Sequence, residues 1–337
     1  MRSAVHTISR SLADYVSAWE NLHAHSPTAT LFNHPLWATL WWDHFGQEGD
    51  LRLFTVEDDS GSLLGLAPFY VDRDREGLSR LRLIGGVDVA DYLDILVSPG
   101  REAAVAGALL DLWAEEGETS PQALDLHSIP EGSPTREIVS SWANERGFMC
   151  QEAVEDVCPV IRLPDTWDAY LASLSKKQRH EVRRKRRKAE RAGGVSWFSV
   201  TQPDRLPAAV EDFIALHQIS SQDKEDFMTP AMQDFFRELA TNTFAAGWLK
   251  LIFLKLGGQL VASYFCFDYK DDILVYNSGY DPALAPGLSP GIVLITDYIE
   301  EAIHRGRSRF DFLRGNEVYK FRLGAAATHV YQITVNR

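Results

Sequence analysis

Three strand patterns follow one another between Trp248 and Ser278, and they constrain the fold more than any other part of the chain. Trp248 to Leu256, Gln259 to Tyr269 and Ile273 to Ser278 are rich in β-branched and aromatic residues. Gly257 and Gly258 separate the first two runs, and the segment Tyr269 to Asp272 separates the last two. Connections this short join only antiparallel neighbours, so the stretch is a β-meander.

Elements of the same kinds recur on both sides of it. Towards the N-terminus, helices are expected at Ser11 to Leu22 and after Pro35, and strands at Leu51 to Val56 and Leu63 to Val71 flank the turn Asp58 to Gly61. Strands at Arg80 to Ile84 and Tyr92 to Val97 lie around Gly85 and Gly86. A helix at Arg101 to Trp113, a strand at Ala123 to Leu126, a helix from Pro134 to Gly147 and a strand at Val157 to Leu163 complete a first lobe. The second lobe opens with a basic segment. A strand at Val195 to Val200, helices at Arg205 to His217 and Pro230 to Leu239, and the meander follow. A helix at Ser289 to His304, a strand at Arg309 to Leu313, a helical piece at Glu317 to Arg322 and a last strand at Thr328 to Val335 end the chain. The pattern predicts an α/β (α+β) protein of two lobes, 1–164 and 165–337, each a mixed, mostly antiparallel sheet flanked by helices. A chain of 337 residues holds two lobes of about 150 residues each.

Composition narrows the function classes. The three cysteines, Cys150, Cys158 and Cys266, form no CxxC pair, which argues against a disulfide framework or a thiolate metal site and suits a reducing, cytoplasmic compartment. No histidine spacing such as HExxH points to a metal, and none is expected. The first residues lack the apolar run of a signal peptide. The longest apolar stretch, Leu249 to Phe267, is broken by Lys255, Gly257, Gly258 and Gln259, so no membrane span is expected. A net charge of -13 argues against general DNA or RNA binding, which depends on Lys and Arg neutralising phosphates.

One segment runs against that charge. Ser175 to Gln178 is a capping box, and ten Lys or Arg stand at 176, 177, 179, 183 to 188 and 191, opposed only by Glu181 and Glu190. The sixteen residues 176–191 form roughly 24 Å of helix ending at Gly193 and Gly194. Such a local positive field suits nucleotide phosphates, an RNA backbone or an anionic surface. The alternative is a solvated helix whose cations pair with acidic neighbours. A second anion site is expected at the start of the Ser289 helix, where Ser289 is placed to cap, Pro290 to open the first turn and Gly291 to leave it unshielded. The loop Asp281 to Leu288, with Gly287, brings backbone close to whatever binds there; a capped packing helix is the alternative. Asp311, Glu317, Tyr319 and Lys320 follow an apolar strand, where a carboxylate could take a proton, a tyrosine return one and a lysine hold a phosphate. Asp88, Asp91, Tyr92 and Asp94 could bind a cation or an amine substrate, or form turns that cap a strand end.

The meander, the turn Gly279 to Pro282, the helix start Ser289 to Gly291 and the run Phe310 to Gly315 with Glu317, Tyr319 and Lys320 resemble the BioF2-like acetyltransferase domain, often labelled CelD-like, of the GNAT superfamily. Leu174 to Arg179, Phe32 to Trp37 and Gly85 to Asp94 fit the same pattern, so the resemblance covers nearly the whole chain. It implies tandem GNAT-like lobes, as in the FemABX peptidoglycan aminoacyltransferases, with a degenerate first lobe shaping an acceptor cleft. It implies an acyl-coenzyme A donor, acetyl or longer, whose pyrophosphate lies on Gly287, Ser289 and Gly291, with Lys320, Arg183 and Arg187 as further donor contacts. Asp311, Glu317 and Tyr319 are the implied proton-transfer residues, and Asp91, Tyr92, Asp94 and Tyr280 the implied acceptor contacts. The superfamily's Gln/Arg-x-x-Gly-x-Gly/Ala loop is replaced here by Gly287 and Gly291 with Pro290 between them. Either the pyrophosphate is held less closely, or the donor is aminoacyl-tRNA.

Three functions compete at this point. The first is N-acyl transfer from acyl-coenzyme A to a small amine, an amino sugar or amino-acid-like acceptor of envelope or polysaccharide metabolism. The second is aminoacyl-tRNA-dependent transfer. The third is a non-catalytic binding protein of the same fold.

Overall fold

A computed structural model describes residues 1–7, 10–47, 49–73, 75, 77–86, 88–115, 120–284 and 287–337. The chain divides into two compact units, Met1–Asp156 with His329–Arg337, and Val157–Thr328. It passes from the first to the second within strand β7 (Met149–Arg162) and returns within β13 (Ala326–Asn336). The closing residues, which sequence order alone assigns to the second lobe, therefore fold with the first unit.

Unit 1 contains β1 (Arg2–His6), α1 (Arg10–His25), α2 (Pro35–Phe45), β2 (Leu51–Glu57), β3 (Leu63–Arg73), β4 (Ser79–Leu83), β5 (Leu96–Val97), α3 (Glu102–Glu115), β6 (Ala123–Pro130) and α4 (Thr135–Arg146). Its sheet runs β1-β2-β3-β4-β6-β13, with β5 paired to β3. β1 had no expectation in the sequence; its five residues pair antiparallel with β2, Arg2 opposite Glu57 and His6 opposite Leu53. The strand expected at Tyr92 to Val97 shrinks to Leu96 and Val97, because side chains rather than a strand satisfy the preceding backbone. The Thr30 hydroxyl donates to the Tyr92 carbonyl at 2.8 Å, and the Asn33 amide to the Asp94 carbonyl at 3.2 Å.

Unit 2 contains the end of β7, α5 (Trp167–Ser173), α6 (Lys176–Ala192), β8 (Val195–Ser199), α7 (Leu206–Ser220), α8 (Gln222–Phe227), α9 (Pro230–Ala245), β9 (Leu249–Leu256), β10 (Gln259–Tyr269), β11 (Asp272–Tyr280), α10 (Pro290–His304), β12 (Arg309–Asp311) and α11 (Val318–Arg322). Its sheet order is β7-β12-β11-β10-β9-β8, with the meander as β9, β10 and β11. α10 lies on one face of this sheet through Val293, Leu294, Ile295, Tyr298, Ile299 and Ala302, all buried. Each fully buried aliphatic side chain contributes about 1.5–3 kcal/mol, so this helix start is held on a rigid base. The other face carries α7 and α9: Phe265 of β10 packs on Phe213 of α7 and Phe236 of α9. α5 and α8 were not foreseen; both are short, and neither carries a full amphipathic repeat. No helix among the described residues is long and apolar enough to cross a membrane. No group of three or more His, Cys, Asp or Glu there is placed to hold a metal ion.

Candidate functional site

The centre of unit 2 is a gap between two parallel strands. β11 pairs with β12 only over Asp272–Leu274, opposite Arg309–Asp311. On its other edge the register against β10 jumps from Phe265 opposite Asn277 to Cys266 opposite Val275, which leaves Tyr276 as an extra residue. A bulge of this kind bends its strand and sharpens the local twist. β11 therefore leaves β12 at Val275, while the other wall turns through Leu313 (φ 56°) and Gly315 (φ 119°). Gly279 lets α7 cross the parting strand closely: a Cβ there would stand 2.5 Å from the backbone of Leu216 and His217.

α10 begins beside this gap. Ser289 does not cap it as its sequence position suggested. The residue is left-handed (φ 54°, ψ 58°), and its side chain makes no cap hydrogen bond. Instead its hydroxyl accepts from the Lys185 ammonium at 2.9 Å, and the Gly287 carbonyl accepts from Lys188 at 2.8 Å. Two lysines of α6 thus grip the loop before α10. The anticipated Asp281–Leu288 loop is described except at Ala285 and Pro286, which lie outside the described residues. At Gly291 a Cβ would meet nothing nearer than the Tyr264 hydroxyl at 3.4 Å, so the first turn is open on its other side.

α6 has the capping box read from the sequence, with the Ser175 hydroxyl accepting from the Gln178 amide and the Gln178 side chain accepting from the Ser175 amide. It buries only Val182 and Ala189, an i,i+7 pair on one face, so polar contacts to α10 must help to seat it. Arg186 lies 2.7 Å from both Asp297 and Glu300, and these carboxylates are the missing counter-charge. Burial pushes Asp297 up to about 6 against the pull of Arg186. Arg184 pairs with Glu181. Lys176, Lys177, Arg179, Arg183 and Arg187 of α6, with Arg322 of α11, have no ion pair among the described residues. They line an open groove of about 1510 Å³ that Ile292 and Tyr319 also border. Six unpaired cations beside an open helix N-terminus suit a ligand carrying several phosphates.

The residues after β12 divide into structural and free groups. Asp311 is 1% exposed; its carboxylate accepts from the Leu313 amide at 2.8 Å and from Arg309 at 3.3 Å, which fixes the left-handed turn. It is a loop-holding group rather than one open to a substrate. Lys320 is likewise committed. Its buried ammonium donates to the carbonyls of Phe312, Arg314 and Gly315 at 3.3, 3.1 and 3.0 Å and meets Glu317 at 2.8 Å, which leaves it no reach to a phosphate. Tyr319 borders the groove, and its hydroxyl is hydrogen-bonded to that of Tyr264, which donates to the Gly291 carbonyl at 3.3 Å. Burial pushes both phenols up. Glu317 keeps 57% of its side chain exposed and is ion-paired with Lys320. Tyr280, 42% exposed, ends β11, its amide donating to the Ser220 hydroxyl at 2.8 Å.

Asp91, Tyr92 and Asp94 belong to unit 1, and there they serve packing. Asp94 is 1% exposed and accepts from the Thr135 hydroxyl at 2.6 Å and the Ile95 amide at 2.9 Å. Burial pushes it up to about 7, only partly offset by hydrogen bonds from Ser133 and Thr135. Tyr92 packs edge-on against Phe32, and Asp91 is 9% exposed.

Sequence reading missed a polar cluster on the α7 side of the gap. The Lys224 ammonium donates to the carbonyl of Ser278 and, at 3.2 Å, to its hydroxyl. His217 Nε2 lies 2.9 Å from Asn277 Oδ1. No spacing rule could have found them: Lys224 sits in a short, mostly acidic helix, and only the fold brings it to β11.

The sequence pattern of the family described as Acetyltransferase (GNAT) domain matches residues 176–321. No curated protein is similar enough in sequence to count as a relative. Among solved structures, FemX is similar over 99% of this chain and 97% of its own, with 11% identity and a TM-score of 0.67. The C-terminal domain of a putative lysylphosphatidylglycerol synthetase from Agrobacterium fabrum covers 97% and 93%, with 10% identity and a TM-score of 0.58. A tandem GNAT protein from the clavulanic acid biosynthesis pathway covers 98% and 97%, with 13% identity and a TM-score of 0.51. The bulged strand, the gap beside it and the helix start that faces it thus lie within the segment that matches the Acetyltransferase (GNAT) domain, in a fold similar to that of FemX and of a tandem GNAT protein.

Proposed function

We propose that unit 2 transfers an acyl group from acyl-coenzyme A to the amine of a small acceptor, an amino sugar or amino-acid-like molecule of cytoplasmic envelope or polysaccharide metabolism. The observation that carries this reading is the groove: six cations without ion-pair partners share it with Ile292 of the first turn of α10 and with Tyr319, and two lysines of α6 hold the loop that leads into that turn. Phosphates would lie along Arg183, Arg187 and Arg322 and on the amides of the first turn at Gly291. The acyl carbonyl would enter the gap, where backbone N–H groups of β11 beyond Leu274 have lost their strand partner and can polarise it. Tyr319, held by Tyr264, stands on the donor side, where a leaving sulfur needs a proton donor.

Calorimetry with acetyl-coenzyme A and palmitoyl-coenzyme A tests the donor. Binding that weakens about 100-fold in an Arg183→Glu, Arg187→Glu variant of unchanged melting temperature supports the reading. A folded wild-type protein that binds neither removes it.

Aminoacyl-tRNA is the second reading. The cations of α6 extend from Lys176 to Arg187, roughly 17 Å of helix, which is more than one pyrophosphate occupies. The likeness to FemX and to a lysylphosphatidylglycerol synthetase domain points the same way. Binding of tRNA that falls steeply with salt, together with no coenzyme A binding, would select it. A folded protein that binds neither donor would instead be a non-catalytic member of the fold.

A further inference from the structure

The donor side of the gap makes no use of Lys224. This residue approaches from the opposite face, on α8, which follows α7 after the single residue Ser221. The last turns of α7 lie against β11 at Gly279, where a Cβ would stand 2.5 Å from the backbone of Leu216 and His217. The ammonium therefore reaches the edge of β11 from the side that α6 and α10 leave free.

Its hydrogen bonds have a chemical consequence. A lysine ammonium has three donors; the neutral amine keeps two and gains a lone pair. Both remaining donors have acceptors here, the carbonyl and the hydroxyl of Ser278. Deprotonation therefore loses no hydrogen bond and leaves one lone pair for a ligand. The charged and titratable surroundings agree. Burial pulls Lys224 down to about 8, with Glu317 opposing from the segment after β12. Glu317 is itself ion-paired with Lys320 of α11, so its charge is shared. From α7 comes His217, pulled down to about 4 by burial and by Lys224, and so neutral at physiological pH. β11 contributes the uncharged Asn277 and Ser278. On α8 itself, Asp223, Glu225 and Asp226 are exposed.

We propose that Lys224 is the base that takes the proton from the attacking amine, so that the acceptor binds on the α7–α8 side of the gap and the donor on the α6–α10 side. This rests on the acyl-transfer reading. The acceptor nitrogen forms its bond to the acyl carbon, the acyl C–S bond breaks, and its electron pair leaves on sulfur. One proton of the acceptor's ammonium passes to Nζ of Lys224 before the attack, and the second proton, which the nitrogen sheds on forming the amide, passes through Tyr319 or solvent to the thiolate. The acceptor class is then a primary amine that arrives as an ammonium ion and must be deprotonated at the site.

Trace labelling of the whole protein with acetic anhydride across a pH series, read by peptide mass spectrometry, tests the amine without any substrate. Lys224 should react with a midpoint near 8, well below the ordinary lysine value of 10.5, while the fully bonded Lys320 stays unreactive. A Lys224 midpoint at the ordinary value overturns the proposal. With acetyl-coenzyme A and glucosamine as probes, Lys224→Met and Lys224→Arg should each lower kcat/KM about 100-fold and remove its rise through the same midpoint. Their acetyl-coenzyme A affinity and melting temperature should be unchanged. Hydroxylamine, which is already deprotonated at neutral pH, should be acetylated almost as fast by the variants as by the wild type. Equal losses with both acceptors, or wild-type rates with glucosamine, would overturn the assignment. A wild-type protein that does not bind acetyl-coenzyme A would defeat the donor reading, and the labelling midpoint would still decide on the Lys224 amine.

Discussion

Each unit contains a parallel strand pair that parts after two or three residues, and the two gaps are filled in opposite ways. In unit 1, β4 pairs with β6 at Arg80 opposite Ala123 and Leu81 opposite Leu124. Beyond them Arg82 reaches across to Asp125 at 2.9 Å and to Asp72 at 2.8 Å. His127 bridges Asp125 at 3.0 Å and Glu155 at 2.9 Å, and Gln332 donates to Asp125 at 2.7 Å. What remains between Tyr70, Arg82, Gly86 and His127 is a void of about 10 Å³, at most one water. In unit 2 the corresponding gap opens beside a groove of about 1510 Å³ in which six cations have no ion-pair partner among the described residues and Glu181 is the one carboxylate of the lining. The helices differ to match: α3 begins with the acidic Glu102, whereas α10 begins under two lysines. Charges paired inside a gap make it structure; charges left unpaired beside one make it a site.

The largest expected effect breaks the closed gap. Asp125→Asn leaves Arg82 and His127 buried beside each other without their shared carboxylate, and should cost about 3–5 kcal/mol in urea unfolding. Acetyl-coenzyme A affinity should not change, because no donor contact lies in unit 1. A loss of binding without a loss of stability would reverse the roles of the two gaps.

The pH dependence of stability comes next. Burial opposes the charge on His127, but its hydrogen bonds to Asp125 and Glu155 and their charges outweigh that and push it up to about 9. Burial would raise Asp125, yet His127, Gln332 and Arg82 hold it well below the usual carboxylate range. Because the folded value of His127 exceeds its unfolded 6.5, its contribution is complete below pH 6.5 and is lost as pH rises through about 9. The loss corresponds to about 3 kcal/mol, and His127→Gln should abolish this alkaline slope in thermal melts.

Two glycines of unit 2 give the smaller, sharpening test. Gly279→Ala forces α7 off β11 and should cost about 1–3 kcal/mol while lowering turnover, since Lys224 follows α7. Gly291→Ala meets only a hydroxyl at 3.4 Å and should leave the melting temperature nearly unchanged. Equal behaviour of the two variants would deny that α7 is seated at the gap.

The parts of this account legible in the sequence are those encoded locally. The meander, the Ser175–Gln178 capping box and the apolar face of α10 each depend on neighbours a few residues away. β1 and the return of β13 to β6 depend on partners 47 to 55 and some 200 residues distant, and no local pattern announces them. Site residues divide the same way. Arg183 and Arg187 were visible as a charge run, and both border the groove. Asp311, Lys320 and Asp94 have the right chemistry in the right stretch, but tertiary hydrogen bonds occupy them. Ser289 has the residue type of a cap, but its backbone is left-handed and its hydroxyl accepts from Lys185 instead. Lys224 needed α7, α8 and β11 together before it meant anything.

Hydrogen–deuterium exchange with and without acetyl-coenzyme A tests the central claim most directly, because it reads both gaps in one sample. The account predicts protection at Gly287–Val293, along β11 from Val275 to Tyr280 and in α6, with no change at Arg82–Gly86 or Asp125–Ser128. Protection in the β4–β6 segment, with the α10 start unaffected, would contradict it.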